Sequence, residues 1–185
     1  MTMREAAAPK VRVWDRAVRV LHWTLVSSIG LSALGLVALG GVHQPAGYVA
    51  LAAVLLRIVW GLRGSRYARF AQFVRGPRAA LRYARAVVVG REPRFIGHNP
   101  LGGWMVVALM LCVIGLALTG WLYTSDAFFG DEIVETVHRA LAWTLLGLVV
   151  AHVAGVLFTG LRHRENLVAA MFSGAKRAPA QDDMA

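Results

Sequence analysis

Four apolar segments, each long enough to cross a lipid bilayer, limit what this chain can fold into. They cover about 18–39, 44–62, 101–123 and 138–160, and a hydrocarbon core of about 30 Å requires about 20 apolar residues in a helix. Hydrophobic residues make up 57% of the 185-residue chain, which is too high for an ordinary soluble domain. We therefore predict an all-α membrane protein built as a four-helix transmembrane bundle.

The first apolar segment is predicted to be a retained helix and not a cleaved signal peptide. Its apolar run is longer than the usual signal-peptide core, and no cleavage site of small residues follows it. It also carries His22, which a discarded leader has no need of.

Basic residues are distributed unevenly around the four segments. Of the 20 Lys and Arg residues, five precede the first segment, ten lie between Arg57 and Arg94, and four follow the fourth segment. Only Arg139 lies on the other side, together with the acidic residues of the 124–137 loop. The positive-inside rule places both termini and the connection 63–98 in the cytoplasm. This predicts an N-in/C-in topology in the bacterial inner membrane.

The cytoplasmic connection is predicted to lie on the membrane surface. Residues 67–89 interleave arginines with aromatic and aliphatic residues at near-helical spacing, with a break at Gly76-Pro77, which is typical of interfacial helices. The net charge of +10 follows the topology, so anionic lipid is the expected partner and nucleic acid is not. Disordered tails, 1–10 and 178–185, are predicted to flank a membrane domain over 11–177.

Histidines are the functional signal in this apolar chain, because imidazole is costly in lipid and rarely occurs there without a partner. His138 and His152 are 14 residues apart, close to four helical turns, so both share one face about 21 Å apart. The topology places His22 near His152 on the cytoplasmic side and His43 near His138 on the outer side. These pairs are what two bis-histidine haems, one near each membrane face, would need.

The composition restricts how such a haem is held. Cys112 is the only cysteine and no C-x-x-C-H motif is present, so the haem is expected to be non-covalent and of b type. Zinc is the rival for clustered histidines. It is disfavoured because there is no H-E-x-x-H motif and the histidines divide between opposite membrane faces.

Several other residues are candidates for the haem sites. Haem propionates need cationic partners, for which Arg19, Arg57 and Arg162 are available inside and Arg139 outside; snorkelling is the alternative for Arg57. Glycines would make room for the haem planes, and close helix packing is their alternative role. The glycines concerned are Gly30, Gly35, Gly115, Gly120, Gly147 and Gly155.

His98, in Gly97-His98-Asn99-Pro100, precedes the third apolar segment. Asn before Pro suits the start of a helix, so a structural role for this histidine is one interpretation. Binding of quinone, or delivery of a proton to it, is the other.

The motifs as a set resemble the bacterial cytochrome b561-like family. They are VWDRAVRVLHW from Val13, RIVWGLRGSRYARFAQFV from Arg57, GHNPLGGWM from Gly97, LTGW from Leu118, the stretch from His138 to His152, and RHRENLVAAMFSGAKR from Arg162. That family includes the membrane cytochrome b subunits of nickel–iron hydrogenases and thiosulfate reductases. The resemblance implies a four-helix bundle with two b haems that exchanges electrons with ubiquinone or menaquinone. Its haem-ligand positions correspond to His22, His43, His138 and His152.

The predicted function is transmembrane electron transfer between a periplasmic partner, such as a soluble cytochrome c, and the quinone pool. The acidic 124–137 loop would attract a cationic partner of this kind. No catalytic residue is predicted, so substrate chemistry must come from outside the chain. One alternative is a haem-bearing anchor subunit of a larger dehydrogenase, reductase or hydrogenase. Another is a haem-free transporter or structural anchor.

Overall fold

The computed structural model describes residues 9–35 and 41–184 of the chain. The helices in these ranges are α1 (Arg16–Gly35), α2 (His43–Arg63), α3 (Phe70–Phe73), α4 (Pro77–Val88), α5 (Pro100–Tyr123), α6 (Glu132–Arg162) and α7 (Leu167–Ser173), with a 3-10 turn at Arg66–Ala68. Two short strands, β1 (Lys10–Arg12) and β2 (Ala175–Arg177), pair antiparallel.

Four of these helices, α1, α2, α5 and α6, are long and apolar enough to cross a membrane. This confirms the predicted number of spans. The fourth helix begins at Glu132 and not at the predicted residue 138, because the Asp131 carboxylate caps it by accepting the backbone N–H groups of Ile133 and Val134, each at 2.9 Å. His138 therefore lies inside the helix, although we expected it to open the span. The predicted end of the first span, 36–39, lies outside the described residues.

The four long helices pack in sequence around one apolar core. α1 lies along α2, α2 contacts α5, and α5 lies along α6. Side chains of all four meet in a cluster around Val54, Met110 and Leu145. In the part of the chain that the structure describes, the backbones of α1 and α6 stay apart over most of their length. His22 and His152 thus lie on two helices that do not pack closely against each other.

Both ends of the described chain meet at one end of the bundle. Lys10 of β1 pairs with Arg177 of β2, and the N–H groups of Val13 and Trp14 donate to the Gly174 carbonyl at 2.9 and 3.1 Å. Gly174 ends α7 in the left-handed conformation, at φ +80°, which glycine adopts without a steric penalty. We call the end formed by 9–19, 57–99 and 160–184 the basic end. The opposite end, 41–43 with 122–138, is the acidic end.

The residues after β2 differ from the predicted disordered tail. The Met184 N–H donates to the Arg94 carbonyl at 2.8 Å, and the Ile96 N–H donates to the Met184 carbonyl at 3.0 Å. Arg94, 6% exposed, forms ion pairs with Glu165 at 2.8 Å and with Asp183. The polar composition of the tail predicted disorder, because composition alone cannot show that Asp183 pairs with the buried Arg94. Residues 1–8, also predicted to be disordered, lie outside the described residues.

The connection between α2 and α5 is helical in two parts, as the sequence pattern predicted. The break falls at Gly76, and Pro77 occupies the first turn of α4, where its missing N–H costs nothing. α4 is amphipathic: Tyr83 is buried, whereas Leu81 and Val88 are exposed beside its arginines. Asn99 caps α5 by accepting the Gly102 N–H at 2.7 Å.

Candidate haem sites

His43 and His138 meet at the acidic end. His43 is the first residue of α2, and its ring centre lies 6.1 Å from that of His138, with the ring planes at 73°. Two imidazoles that bind opposite sides of one metal ion, with bonds of about 2 Å, have ring centres about 6 Å apart. The spacing of this pair therefore fits axial ligation of a haem iron.

Hydrogen bonds determine which ring nitrogen of each histidine is free. The His43 Nδ1 lies 2.9 Å from both the hydroxyl and the carbonyl oxygen of Ser32. The carbonyl is an acceptor only, and the hydroxyl can donate to the His43 carbonyl, so Nδ1 carries the proton. The Thr119 hydroxyl donates to the Gly115 carbonyl at 2.8 Å, so it accepts from the His138 Nδ1 at 2.8 Å. Both rings keep an unprotonated Nε2, which is the form that binds a metal.

Ser32 and Thr119 were missed by the sequence reasoning, which considered only residues that could touch the haem. Their signal was present in the sequence, since each is a hydroxyl residue within an apolar segment at the same depth as a predicted ligand. Side chains of this kind orient metal-binding histidines in many sites.

His22 of α1 and His152 of α6 are the two histidines predicted to pair at the basic end. The His22 ring meets Trp23 edge-on, with ring centres 5.0 Å apart. Its Nδ1 is buried and has no hydrogen-bond partner among the described residues. A buried polar atom without a partner is costly, and this ring has a polar atom left for a ligand to use.

His98 lies between this pair and the polar basic end. Its ring packs between Trp14 and Phe73, with ring centres at 4.7 and 4.6 Å. Burial lowers the pKa of His98 to about 3, and the nearby charges of Arg57, Lys176 and the two histidines add to this effect. His98 is thus a neutral imidazole within electrostatic reach of both histidines of the pair. As expected, His98 lies just before the start of α5 at Pro100.

Arg57 is buried near His98, with 6% of its surface exposed. One guanidinium nitrogen, Nη2, donates to the Ala68 carbonyl at 2.9 Å, and the group lies 5.2 Å from the centre of the Phe70 ring. Its Nη1 is buried and unpaired within the described ranges. Arg57 therefore does not snorkel to solvent. A buried guanidinium with a free donor fits an anionic group such as a propionate.

The other three candidate arginines have different surroundings. Arg19 donates to the Phe172 carbonyl of α7. Arg139 is exposed and pairs with Glu135 one turn away. Arg162 bonds to Glu92 at 2.9 Å and to the Gly90 carbonyl, so it ties α6 to the connection.

Five of the six candidate glycines divide into two groups, and the surroundings of the sixth, Gly35, lie outside what the structure describes. A methyl group added at Gly115 or Gly120 would meet Leu141 at 3.1 Å or His138 at 3.4 Å, so these two allow close packing of α5 on α6. One added at Gly30, Gly147 or Gly155 would meet no atom within 4 Å. Gly147 is nine residues from His138, half a turn away in angle, so it does not share the helix face of that histidine.

Among the described residues no group of three or more His, Cys, Asp or Glu side chains could hold a metal ion, whereas His43 and His138 form a pair with ring centres 6.1 Å apart. Such a pair, with His22 and His152 also inside a bundle of four membrane-spanning helices, is typical of one class: multi-pass membrane cytochromes with b-type haem. Comparison with known proteins identifies the family. Residues 13–174 match the family model described as prokaryotic cytochrome b561, and the chain belongs to that family.

Family membership confirms the resemblance seen in the sequence, and with it haem-based electron transport by a membrane cytochrome b. One relative, a probable Ni/Fe-hydrogenase B-type cytochrome subunit of Rhizobium leguminosarum bv. viciae, is 23% identical over 94% of this chain and 91% of its own. Proteins with the same name from Cupriavidus necator and Azotobacter vinelandii are 24% and 28% identical over 71% of this chain, and over 64% and 65% of their own.

Proposed function

We propose that this chain transfers electrons across the bacterial inner membrane through two b haems, between a redox partner at the acidic end and quinone at the basic end. The observation that carries the proposal is the approach of His43 and His138, with ring centres 6.1 Å apart, in a bundle whose other end holds His22 and His152. α6 contributes His138 to one pair and His152 to the other, about 21 Å apart along its axis.

The histidines would be the axial ligands, with His22 and His152 at the basic end and His43 and His138 at the acidic end. When bound, each haem supplies reversible one-electron oxidation and reduction. Two histidines on one iron leave no open position for oxygen. The buried Arg57 is the propionate partner that its environment favours at the basic end.

The positive-inside rule supports a cytoplasmic basic end, which gives the N-in/C-in topology. α4 would lie on the cytoplasmic leaflet, since Leu81 and Val88 are exposed next to arginines that suit anionic headgroups. The acidic end would then face the periplasm.

His98 supports quinone exchange at the basic end. A neutral imidazole whose Nδ1 has no partner among the described residues offers a hydrogen bond to a quinone oxygen without placing a charge in an apolar site. Ubiquinone and menaquinone share this carbonyl chemistry. At the other end, a basic face of a soluble cytochrome c is the partner that the acidic residues favour.

A membrane subunit of a hydrogenase is the second candidate, and the names of the three relatives favour it. In that assembly a hydrogenase would replace the soluble donor at the acidic end. The histidine pairs and the quinone side would be unchanged.

The test uses the haem-loaded full chain in liposomes that contain ferricyanide. Addition of a reduced short-chain quinone outside should reduce the internal ferricyanide faster than in liposomes that carry the His138→Ala variant. Equal rates would contradict transmembrane transfer. If dithionite reduces the haem but the quinol does not, the single chain lacks quinol activity and the subunit function is favoured.

A further inference from the structure

A groove of about 740 Å³ runs along α1 at the basic end. Val20 and Ser27 line it, and they lie about 160° and 140° around the helix from His22. Trp23 also lines it, and this ring meets the His22 ring edge-on. No histidine and no residue of α6 is among its described lining residues, so the groove is lined by none of the histidines proposed to hold haem.

The groove has a cationic mouth. Arg16 and Arg19 line it, and no carboxylate is among the described residues that do so. The Arg19 guanidinium is held by the Phe172 carbonyl, and its buried Nε has no partner in the described part of the chain. The neighbouring Asp15 is occupied, because its carboxylate accepts hydrogen bonds from Val18, Trp60 and Ser65.

Below the arginines the groove is mainly apolar. The Trp23 ring stacks on Phe172, with ring centres 4.3 Å apart and planes at 24°, and Val49 of α2 forms part of the opposite wall. The lining extends from Arg16 to Ser28, which is about 18 Å along a helix. This length is close to one leaflet, about half of a 30 Å hydrocarbon core.

We propose that this groove binds an anionic phospholipid, with the phosphate at Arg16 and Arg19 and an acyl chain along α1. The charge decides between this lipid and a quinone, which has a similar apolar tail but a neutral head that gains little from two arginines. The assignment to the inner leaflet rests on the orientation proposed above. The binding itself does not.

The test is native mass spectrometry of the full, haem-loaded chain in detergent, with phosphatidylglycerol, phosphatidylcholine or decylubiquinone added separately. We expect phosphatidylglycerol to be retained preferentially. The Arg16→Gln/Arg19→Gln variant should bind it about tenfold more weakly. The matched control, Arg63→Gln/Arg91→Gln, removes the same charge from exposed residues at the same end and should bind like the unmodified chain.

A second variant keeps the test valid if loss of the Arg19 bond disturbs α7. Val20 is 64% exposed, so Val20→Trp should fill the groove without a change of charge and also reduce retention of phosphatidylglycerol. Equal binding of the two phospholipids would overturn the proposal. So would an equal effect of the control variant, or decylubiquinone binding that excludes phosphatidylglycerol. Haem content and quinol reduction, measured on the same samples, show separately whether the proposed electron transfer holds.

Discussion

The two ends of the bundle hold their histidine pairs in different ways. At the acidic end, His43 and His138 each have the Nδ1 engaged, by the Ser32 carbonyl and the Thr119 hydroxyl. At the basic end, the His22 Nδ1 is buried and has no hydrogen-bond partner among the described residues, and the same end holds the buried Arg57. Hydrogen bonding to the histidines is therefore the main influence at the acidic end, and a buried positive charge is the main influence at the basic end.

This difference predicts the order of the two haem potentials. A hydrogen bond donated by Nδ1–H makes an imidazole a stronger ligand, which stabilises the ferric state at the acidic end. A buried positive charge at Arg57 favours the ferrous state at the basic end. We expect the haem at the acidic end to have the lower potential, so electrons would pass downhill towards the basic end.

The largest effect should come from removal of one ligand of each pair. His22→Ala and His138→Ala should each lose about half of the bound haem, because each removes one axial ligand from one site. The measurement is haem per protein from the pyridine haemochrome spectrum. His163→Ala, outside both pairs at the end of α6, is the control and should keep the full content. Full haem content in either ligand variant would contradict the pairing.

At the basic end, Arg94 forms buried ion pairs with Glu165 and Asp183. The Arg139–Glu135 pair at the acidic end is exposed. Burial alone would raise the pKa of Asp183, but backbone hydrogen bonding and the charge of Arg94 lower it below 3.8. A lowered folded-state pKa gives stability above the ordinary value, and that stability is lost as pH falls through the folded-state value. Protection of the amides in 176–184, corrected for the pH dependence of the intrinsic exchange rate, should therefore fall at low pH.

At neutral pH, Asp183→Asn should raise exchange in this segment about tenfold, as expected for loss of a charged hydrogen bond. Asp182→Asn removes the same charge one residue earlier and should leave exchange unchanged. Mass spectrometry of peptides from the exchanged protein measures both. If the two variants behave alike, the Arg94–Asp183 pair does not hold the tail.

The third prediction tests the difference between the pairs directly. Thr119→Val removes the acceptor of the His138 Nδ1–H and keeps the side-chain shape. Loss of about 1 kcal/mol of hydrogen bonding should raise the potential of the acidic-end haem by about 40 mV, with the other haem unchanged. Thr144→Val is the control, since its hydroxyl bonds only to the Ala140 carbonyl of its own helix. A redox titration in which neither haem shifts would remove the difference that we infer.

The smallest effect is expected at the acidic surface. Asp131, Glu132 and Glu135 were the sequence candidates for docking a basic donor, but Asp131 caps α6 and Glu135 pairs with Arg139. The clean test is therefore Asp126→Asn/Glu132→Gln, which should slow reduction by a basic cytochrome c about two- to fivefold at low salt. Stopped-flow absorbance measures this rate. An unchanged, salt-independent rate would exclude docking by charge.

The apolar runs and the histidine spacing predicted most of this fold, because membrane spans depend on local composition. His43 and His138 are predictable as a pair for the same reason, since topology brings their helix ends together. Ser32 and Thr119 were not predicted, because the direction of a hydroxyl depends on how the helices pack. The bonds of Arg162 and Asp183 were missed because they join residues far apart in sequence.

A redox titration of the purified protein by visible absorption would show whether the chain holds two b haems in distinct environments. We predict two one-electron components of equal amount, with Soret and α bands that both respond to reduction. His138→Ala should remove the component of lower potential. A single component, or a protein without a reducible Soret band, would mean that the chain does not hold two distinct b haems.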